Sequence, residues 1–107
     1  MINLNSKIYV AGHKGLVGSA IVRKLKSKKY KNIIYCNKKK LDLTNQSKVF
    51  NFLKKKKPDF IFIAAAKVGG ILTNSLNQSE FLYQNLMIQN NIIGSAAESN
   101  VQKLVFL

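Results

Sequence analysis

Four short apolar runs predict the β-strands of this protein. They cover residues 7–11, 33–36, 60–64 and 103–107. Runs of this length, rich in isoleucine, valine and aromatic residues, are typical of strands that are buried inside a domain.

Between the first three strands, apolar residues recur at intervals of three and four, which predicts amphipathic helices. The apolar stripe of the first helix consists of Leu16, Val17, Ala20, Ile21 and Leu25. We expect a second helix to begin at a Thr44 cap and to stop at Pro58.

The longest predicted helix follows a polar loop over residues 67–78. It runs from near Glu80 to near Ser99, and Asn100 is a plausible left-handed terminator. Its apolar residues are Leu82, Leu86, Ile92, Ile93 and Ala96.

The alternation of strands and helices predicts an α/β fold, a Rossmann-like doubly wound parallel sheet with helices on both faces. We expect the strand order 3-2-1-4, with the fourth strand as an exposed apolar edge. This is the N-terminal half of such a sheet only. We therefore predict that residues 1–107 are the N-terminal portion of one cofactor-binding domain, and that the substrate domain lies outside this chain.

A glycine-rich segment, Gly-His-Lys-Gly-Leu-Val-Gly over residues 12–18, joins the first strand to the first helix. In dinucleotide-binding folds the first glycine permits the tight turn, and the second lets the backbone approach the pyrophosphate. The third lets the helix pack close to the strand. The helix N-terminus then faces the negative phosphates. A turn that binds nothing is the alternative, but the flanking strand and helix favour cofactor binding.

The residues after the second strand predict which coenzyme binds. NAD-specific enzymes place an acidic residue there for the ribose 2′-hydroxyl. Here Lys38, Lys39 and Lys40 follow the strand, and the first acidic residue is Asp42. Lysines attract the 2′-phosphate of NADP, whereas a carboxylate would repel it. The sequence therefore favours NADP(H); a solvated lysine turn is the alternative.

The formal net charge of +14 raises a second function class, a non-enzymatic module that binds nucleic acid. Base readout favours arginine, however, and Arg23 is the single arginine among 18 basic residues. A compositional bias toward lysine is the simpler explanation. We therefore expect no nucleic-acid partner.

Composition also bears on compartment and metal binding. A single cysteine, Cys36, excludes an internal disulfide and a cysteine-rich metal site. No apolar run approaches the ~18–20 residues of a membrane span, and the first residues show no secretory signal. We expect a cytoplasmic protein with no metal site and no membrane partner.

Four segments carry a family resemblance: residues 11–21, 41–45, 64–71 and 85–90. Together with the G-x-x-G-x-x-G spacing of the phosphate turn, they resemble the GDP-L-fucose synthase family of extended short-chain dehydrogenase/reductases. The Ala-Ala-Ala-Lys-Val-Gly-Gly stretch at 64–70 separates this family from related sugar epimerases and dehydratases.

The resemblance implies an NADPH-dependent epimerase and reductase that makes GDP-L-fucose from GDP-4-dehydro-6-deoxy-D-mannose. It implies a GDP-sugar substrate and a homodimer. The family's catalytic serine, cysteine, Tyr-x-x-x-Lys pair and histidine follow the fourth strand, so we expect no catalytic residue in this chain. Tyr35 and Lys39 match the pair in spacing only. Another NADP-dependent nucleotide-sugar epimerase or reductase is the alternative.

The resemblance also implies roles for individual residues. The Asp-Leu-Thr stretch that begins at Asp42 resembles one that contacts adenine, with a helix cap as the alternative role of Asp42. Lys67 lies in a segment near cofactor and substrate, with a solvated lysine as the alternative. The predicted cofactor-binding residues are Gly12, His13, Lys14, Gly15, Leu16, Val17, Gly18, Lys38, Lys39, Lys40, Leu41, Asp42, Leu43, Ala64, Ala65, Lys67 and Leu107.

Overall fold

All four predicted strands are present in the described residues and form one parallel sheet. They are β1 (Lys7–Ala11), β2 (Asn32–Ile34), β3 (Phe60–Ile63) and β4 (Lys103–Phe106). They belong to a computed structural model of the chain that describes residues 2–65 and 75–107. β2 ends earlier than predicted, so that Tyr35 and Cys36 lie beyond its end.

The sheet has the order β2-β1-β3-β4, so the predicted order 3-2-1-4 is wrong. β3 pairs with β1 rather than with β2, and Ile8 lies opposite Phe60. A central strand is covered on both faces and along both edges, so the most apolar strands occupy the centre. β1 is buried from Ile8 to Ala11, whereas β2 begins at the exposed Asn32 and is only half-buried.

Helices cover both faces of this sheet, which confirms the doubly wound α/β prediction. The helices are α1 (Leu16–Ser27), α2 (Gln46–Lys56) and α3 (Ser75–Glu98). Successive side chains of a strand point to opposite faces. Accordingly, Ile8 and Val10 pack with Leu25 of α1, while the alternate β1 and β3 residues pack with α2 and α3.

The start of α1 differs from its predicted apolar stripe. Leu25 is buried as expected, but Leu16 is 88% exposed and Val17 is 51% exposed. Gly18 is the buried residue of the first turns.

In α3 the residues that contact the sheet are also a different set from the predicted stripe. Ile92 and Ala96 are buried as predicted, and Ile88 joins them. The exposed members of the predicted stripe are Leu82, Leu86 and Ile93. Spacing identifies an apolar helix, but several of these apolar residues lie away from the strip that meets the sheet.

The helix ends correct two predictions and confirm one. Asn45, not Thr44, caps α2: its side chain accepts a hydrogen bond of 3.0 Å from the Lys48 backbone N–H. α3 already begins at Ser75, earlier than the predicted Glu80. Asn100 has a φ of +59°, which confirms it as the left-handed residue after α3.

The outer strand β4 forms the second edge of the sheet, as expected for the fourth strand. Phe106 and Leu107 leave 48% and 59% of their surfaces exposed there. Within residues 2–65 and 75–107, no helix combines the length and the apolar character needed to cross a membrane.

Candidate cofactor-binding cleft

A cleft opens where the chain changes its direction across the sheet. From β1 the chain passes to β2 on one side, and from β2 it crosses to β3 on the other side of β1. The carboxyl ends of β1 and β3 therefore carry connections that diverge, and open α/β sheets bind ligands at such a point. The cleft is lined by Gly12, His13, Lys14, Gly15, Cys36, Lys38, Leu41, Asp42, Leu43, Ala64, Ala65 and Ile88.

The first glycine of the turn is required by the neighbouring strand. Gly12 has a φ of +86°, and a Cβ at this position would lie 2.6 Å from the backbone nitrogen of Ala65. It would lie 2.7 Å from the carbonyl carbon of Ala64. The turn after β1 thus packs directly on the backbone that follows β3, and both conformation and space require glycine.

The third glycine brings the helix onto the turn. A Cβ at Gly18 would lie 1.9 Å from the carbonyl oxygen of Gly12 and 3.1 Å from the Cα of His13. α1 packs closely as predicted, but the contact at Gly18 is with the turn rather than with the strand. The start of α1 is therefore held at the mouth of the cleft.

The second glycine is different, because no contact within residues 2–65 and 75–107 requires it. A Cβ at Gly15 would meet the Gly12 carbonyl oxygen at 3.5 Å, an ordinary contact, and Gly15 has a φ of −73°. Gly15 lines the cleft and is the N-cap of α1, yet no side chain caps this helix end. The first N–H groups of an α-helix have no acceptor within the helix. They are available here for an anion that approaches past Gly15.

His13 extends this site on the side of β2. Its ring stacks on the ring of Tyr35, with centroids 4.6 Å apart, and the Lys26 Nζ lies 5.8 Å from the Tyr35 ring centroid. Burial, and next the charge of Lys14, lower the pKa of His13 below its ordinary value. The imidazole is therefore neutral at pH 7 and lines the cleft rather than adding to its charge.

Only the first of the three predicted lysines reaches the cleft. Lys38 lines it, whereas Lys39 and Lys40 do not. The backbone turns sharply here, because the Lys40 and Leu41 N–H groups both donate to the Asn37 carbonyl, at 3.1 and 3.0 Å. Lys14, from the glycine turn, is the second lysine in the lining.

Asp42 lies in the cleft and does not cap α2, so the alternative role for it is wrong. Its Oδ1 accepts hydrogen bonds from the Thr44 backbone N–H at 3.0 Å and from the Thr44 hydroxyl at 2.7 Å. This local turn presents Asp42 and the flanking Leu41 and Leu43 to the cleft.

Two residues of the lining were absent from the sequence prediction. Cys36 enters from the end of β2, and Ile88 enters from α3. With Leu41 and Leu43 they form an apolar wall that continues into the core below. Periodicity could not identify Ile88 as a cleft residue, because a buried helical isoleucine is ordinarily part of a core.

The core under this wall contains Tyr9 of β1. Its side chain is 2% exposed and its ring packs on Phe52, with centroids 5.1 Å apart. Burial is the main cause that raises the pKa of the Tyr9 hydroxyl well above its usual range, and Cys36 adds to the effect. Tyr9 therefore stays neutral in the core beneath this wall.

Several predicted residues lie outside the cleft lining. Leu16, Val17, Gly18 and Leu107 do not line it, and Lys67 lies outside the described residues. Leu107 instead continues the ladder beside β3, because its N–H donates to the Ile63 carbonyl at 3.2 Å. In residues 2–65 and 75–107, no group of three histidine, cysteine, aspartate or glutamate side chains is placed to hold a metal ion.

Comparison with known proteins agrees with this geometry. Arabidopsis thaliana GDP-L-fucose synthase 1 is 49% identical over 107 residues, which is all of this chain and 33% of that protein. The GDP-L-fucose synthase of Sinorhizobium fredii is 50% identical over 101 residues, 94% of this chain and 32% of the relative. The chain thus spans about a third of the length of these relatives.

A solved structure matches the fold closely. It is the Campylobacter jejuni GDP-mannoheptose C4 reductase MlghC with NADP bound, which superposes with a TM-score of 0.93 at 42% identity. The match covers 99% of this chain and 33% of that one.

The family model described as the NAD dependent epimerase/dehydratase family matches residues 8–107. These residues include the sheet except Lys7, the first residue of β1, together with the glycine turn and all residues that line the cleft. The chain belongs to the NAD dependent epimerase/dehydratase family.

Proposed function

We propose that residues 1–107 form the N-terminal, NADP(H)-binding portion of a larger domain, and that the complete protein is a GDP-L-fucose synthase. The proposal that this portion binds NADP(H) rests on the cleft. An uncapped helix N-terminus lies behind Gly15 at one end of the cleft, and Lys38 lies at the other end. No acidic residue precedes Asp42 after β2, so a 2′-phosphate meets a lysine first.

Different parts of the cleft bind different groups of the coenzyme. The N–H groups at the start of α1 bind the pyrophosphate, and the missing side chain of Gly15 gives it room. The apolar wall of Cys36, Leu41 and Ile88 accepts the adenine, and Lys38 binds the 2′-phosphate. The bound coenzyme supplies the hydride for reduction of a ketone.

The reaction of the complete protein is proposed from its relatives. Two of them, 49% and 50% identical, are named GDP-L-fucose synthase. We infer that the complete protein epimerises GDP-4-dehydro-6-deoxy-D-mannose and then reduces its ketone. Proton removal beside the ketone and protonation of the alkoxide need an acid–base pair, which we place outside residues 1–107. We further propose a cytoplasmic homodimer without a nucleic-acid partner.

A second candidate substrate is a GDP-heptose. The reductase MlghC, named for GDP-mannoheptose, is 42% identical to this chain, which is close to the identity of the fucose synthases. We assign this cleft to the coenzyme and not to the sugar, so it supports both substrates equally.

Incubation of the complete protein with each GDP-4-keto sugar and either NADPH or NADH tests both proposals. We expect NADPH to be consumed with GDP-4-dehydro-6-deoxy-D-mannose and the product to be GDP-L-fucose by NMR. Turnover of the heptose substrate alone would establish the second candidate. NADPH binding no tighter than NADH binding would contradict the coenzyme assignment.

A further inference from the structure

One long-range hydrogen bond joins α3 to the rim of the cleft. The Asn91 side-chain amide donates from Nδ2 to the Leu43 carbonyl oxygen at 2.9 Å, across 48 positions of sequence. Asn91 is half-buried in the interior of α3. Asparagine favours a helix less than alanine or leucine does. Helix propensity therefore does not explain an asparagine here, whereas the contact with Leu43 does.

The segment that Asn91 contacts lies outside the strands and helices, and only Leu41 at its start is a buried core residue of the segment. Residues 41–44 lie between the end of β2 and the cap of α2. Inside the segment, the bonds from Thr44 to Asp42 maintain the local turn. The Asn91 amide supplies a direct attachment to the packed helix α3, and it satisfies a backbone carbonyl that lies outside regular structure.

The same helix and the same segment both line the cleft. Ile88, less than one turn before Asn91, reaches the cleft from α3, while Leu41, Asp42 and Leu43 reach it from the segment. The hydrogen bond thus sets the distance between two parts of the wall that the adenine would contact. Leu41 is itself held in the core cluster that contains Ile88. Loss of the hydrogen bond would therefore release the segment at Asp42 and Leu43, without unfolding either helix.

We propose that Asn91 is a positioning residue for the adenosine half of the coenzyme. This inference rests on the proposed NADP(H) site. Asn91 does not line that cleft; it acts through the Leu43 carbonyl, which keeps residues 41–43 in the binding geometry. Chemistry at the nicotinamide end does not depend on this contact.

The test compares Asn91→Leu with Asn90→Leu in the complete protein. Leucine is close to asparagine in size and favours a helix, so the variant removes the donor with little change in shape. Asn90 is the exposed neighbour on the same helix, which makes its variant a matched control. Dissociation constants for NADPH, inhibition by 2′,5′-ADP, and KM and kcat with saturating sugar substrate are measured for each.

We expect Asn91→Leu to raise the dissociation constant and KM for NADPH about tenfold, as loss of one ordered hydrogen bond does. The inhibition constant of 2′,5′-ADP should rise by the same factor, because this ligand carries only the adenosine half. The kcat at saturating NADPH should stay within about twofold of the original value. Asn90→Leu should change none of these constants.

Other outcomes overturn the inference. A lower kcat with unchanged NADPH affinity would indicate partial unfolding rather than positioning. Equal losses in the two variants would assign the effect to the surface of α3. If the unsubstituted protein binds no NADPH, the proposed function fails; if it binds NADPH and Asn91→Leu binds as tightly, only the role of Asn91 fails.

Discussion

The two ends of the cleft are built in different ways. At the end where we propose the pyrophosphate, called the phosphate end, the glycine turn packs on α1 through backbone atoms. A Cβ added at Gly18 would lie 1.9 Å from the Gly12 carbonyl oxygen, and one added at Gly12 would lie 2.6 Å from the Ala65 backbone nitrogen. At the other end, where we propose the adenosine and which we call the adenosine end, side chains supply the contacts. They are Lys38, the Asp42 turn and the Asn91 amide. Backbone packing tolerates almost no substitution, whereas side chains on a turn can change without loss of the fold.

This contrast implies that residues at one end of the cleft determine the stability of the fold, whereas residues at the other end determine which coenzyme binds. Changes at the phosphate end should act on folding unless they fall at Gly15, where the protein leaves room. Changes at the adenosine end should act on coenzyme choice and affinity and should leave the fold intact.

The largest effect should come from Gly18→Ala compared with Gly94→Ala. An alanine methyl group at position 18 would overlap the Gly12 carbonyl, so the free energy of unfolding should fall by about 3 kcal/mol or more. At Gly94 an added Cβ meets nothing within 4 Å. That variant should gain up to about 1 kcal/mol from helix propensity. Urea unfolding measures both; equal stability of the two variants would contradict the close packing.

Gly15→Ala should instead affect binding. The methyl group fits the protein at 3.5 Å, and replacing a glycine cap should cost about 1 kcal/mol or less in stability. It would, however, stand between the pyrophosphate and the N–H groups of α1. The dissociation constant for NADPH should rise about thirtyfold, or about 2 kcal/mol. Fluorescence titration measures it, and unchanged affinity would exclude an anion at this position.

Lys38→Ala and Lys39→Ala form a matched pair at the adenosine end. Lys38 lines the cleft and Lys39 does not, so Lys38→Ala should weaken NADPH binding about tenfold, as loss of one charged hydrogen bond does. NADH, which lacks the 2′-phosphate, should bind as before. Lys39→Ala should change either affinity by less than about twofold. Equal losses for both coenzymes would mean that Lys38 acts only through general charge.

The smallest effect concerns the protonation of His13. Because burial and Lys14 lower its pKa from 6.5, the folded free protein favours the neutral ring. The stability that His13 contributes is present above pH 6.5 and is lost as pH falls through the folded pKa. Bound phosphates should raise the pKa again. NMR titration should show the rise on adding NADPH, and affinity should increase as pH falls; an unchanged pKa would place the phosphates away from His13.

Local features of the fold and site could be predicted from the sequence. The apolar runs of β1 and β3 and the glycine turn depend on residues that are neighbours along the chain, and their positions are confirmed. The left-handed Asn100 is local in the same sense. A backbone conformation or a strand is encoded by the few residues that adopt it.

The order of the strands was decided by packing. The usual topology of a doubly wound sheet predicted 3-2-1-4. Instead, β3 crosses to the far side of β1, because the most apolar strands need neighbours on both edges. No residue pattern within β3 distinguishes a pairing with β1 from a pairing with β2. The pairing of β3 depends instead on which of the four strands are apolar enough to lie at the centre of the sheet.

Patterns along the chain were sufficient to predict the four strands, the glycine turn and the run of lysines after β2. The packing of the fold places Lys38, but not Lys39, at the cleft, and it brings Cys36 and Ile88 into the lining. It also brings the Asn91 amide to the Leu43 carbonyl. The physical reason is distance along the chain. Contacts such as Asn91 with Leu43 join residues 48 positions apart, and they form only after the sheet and its helices have packed.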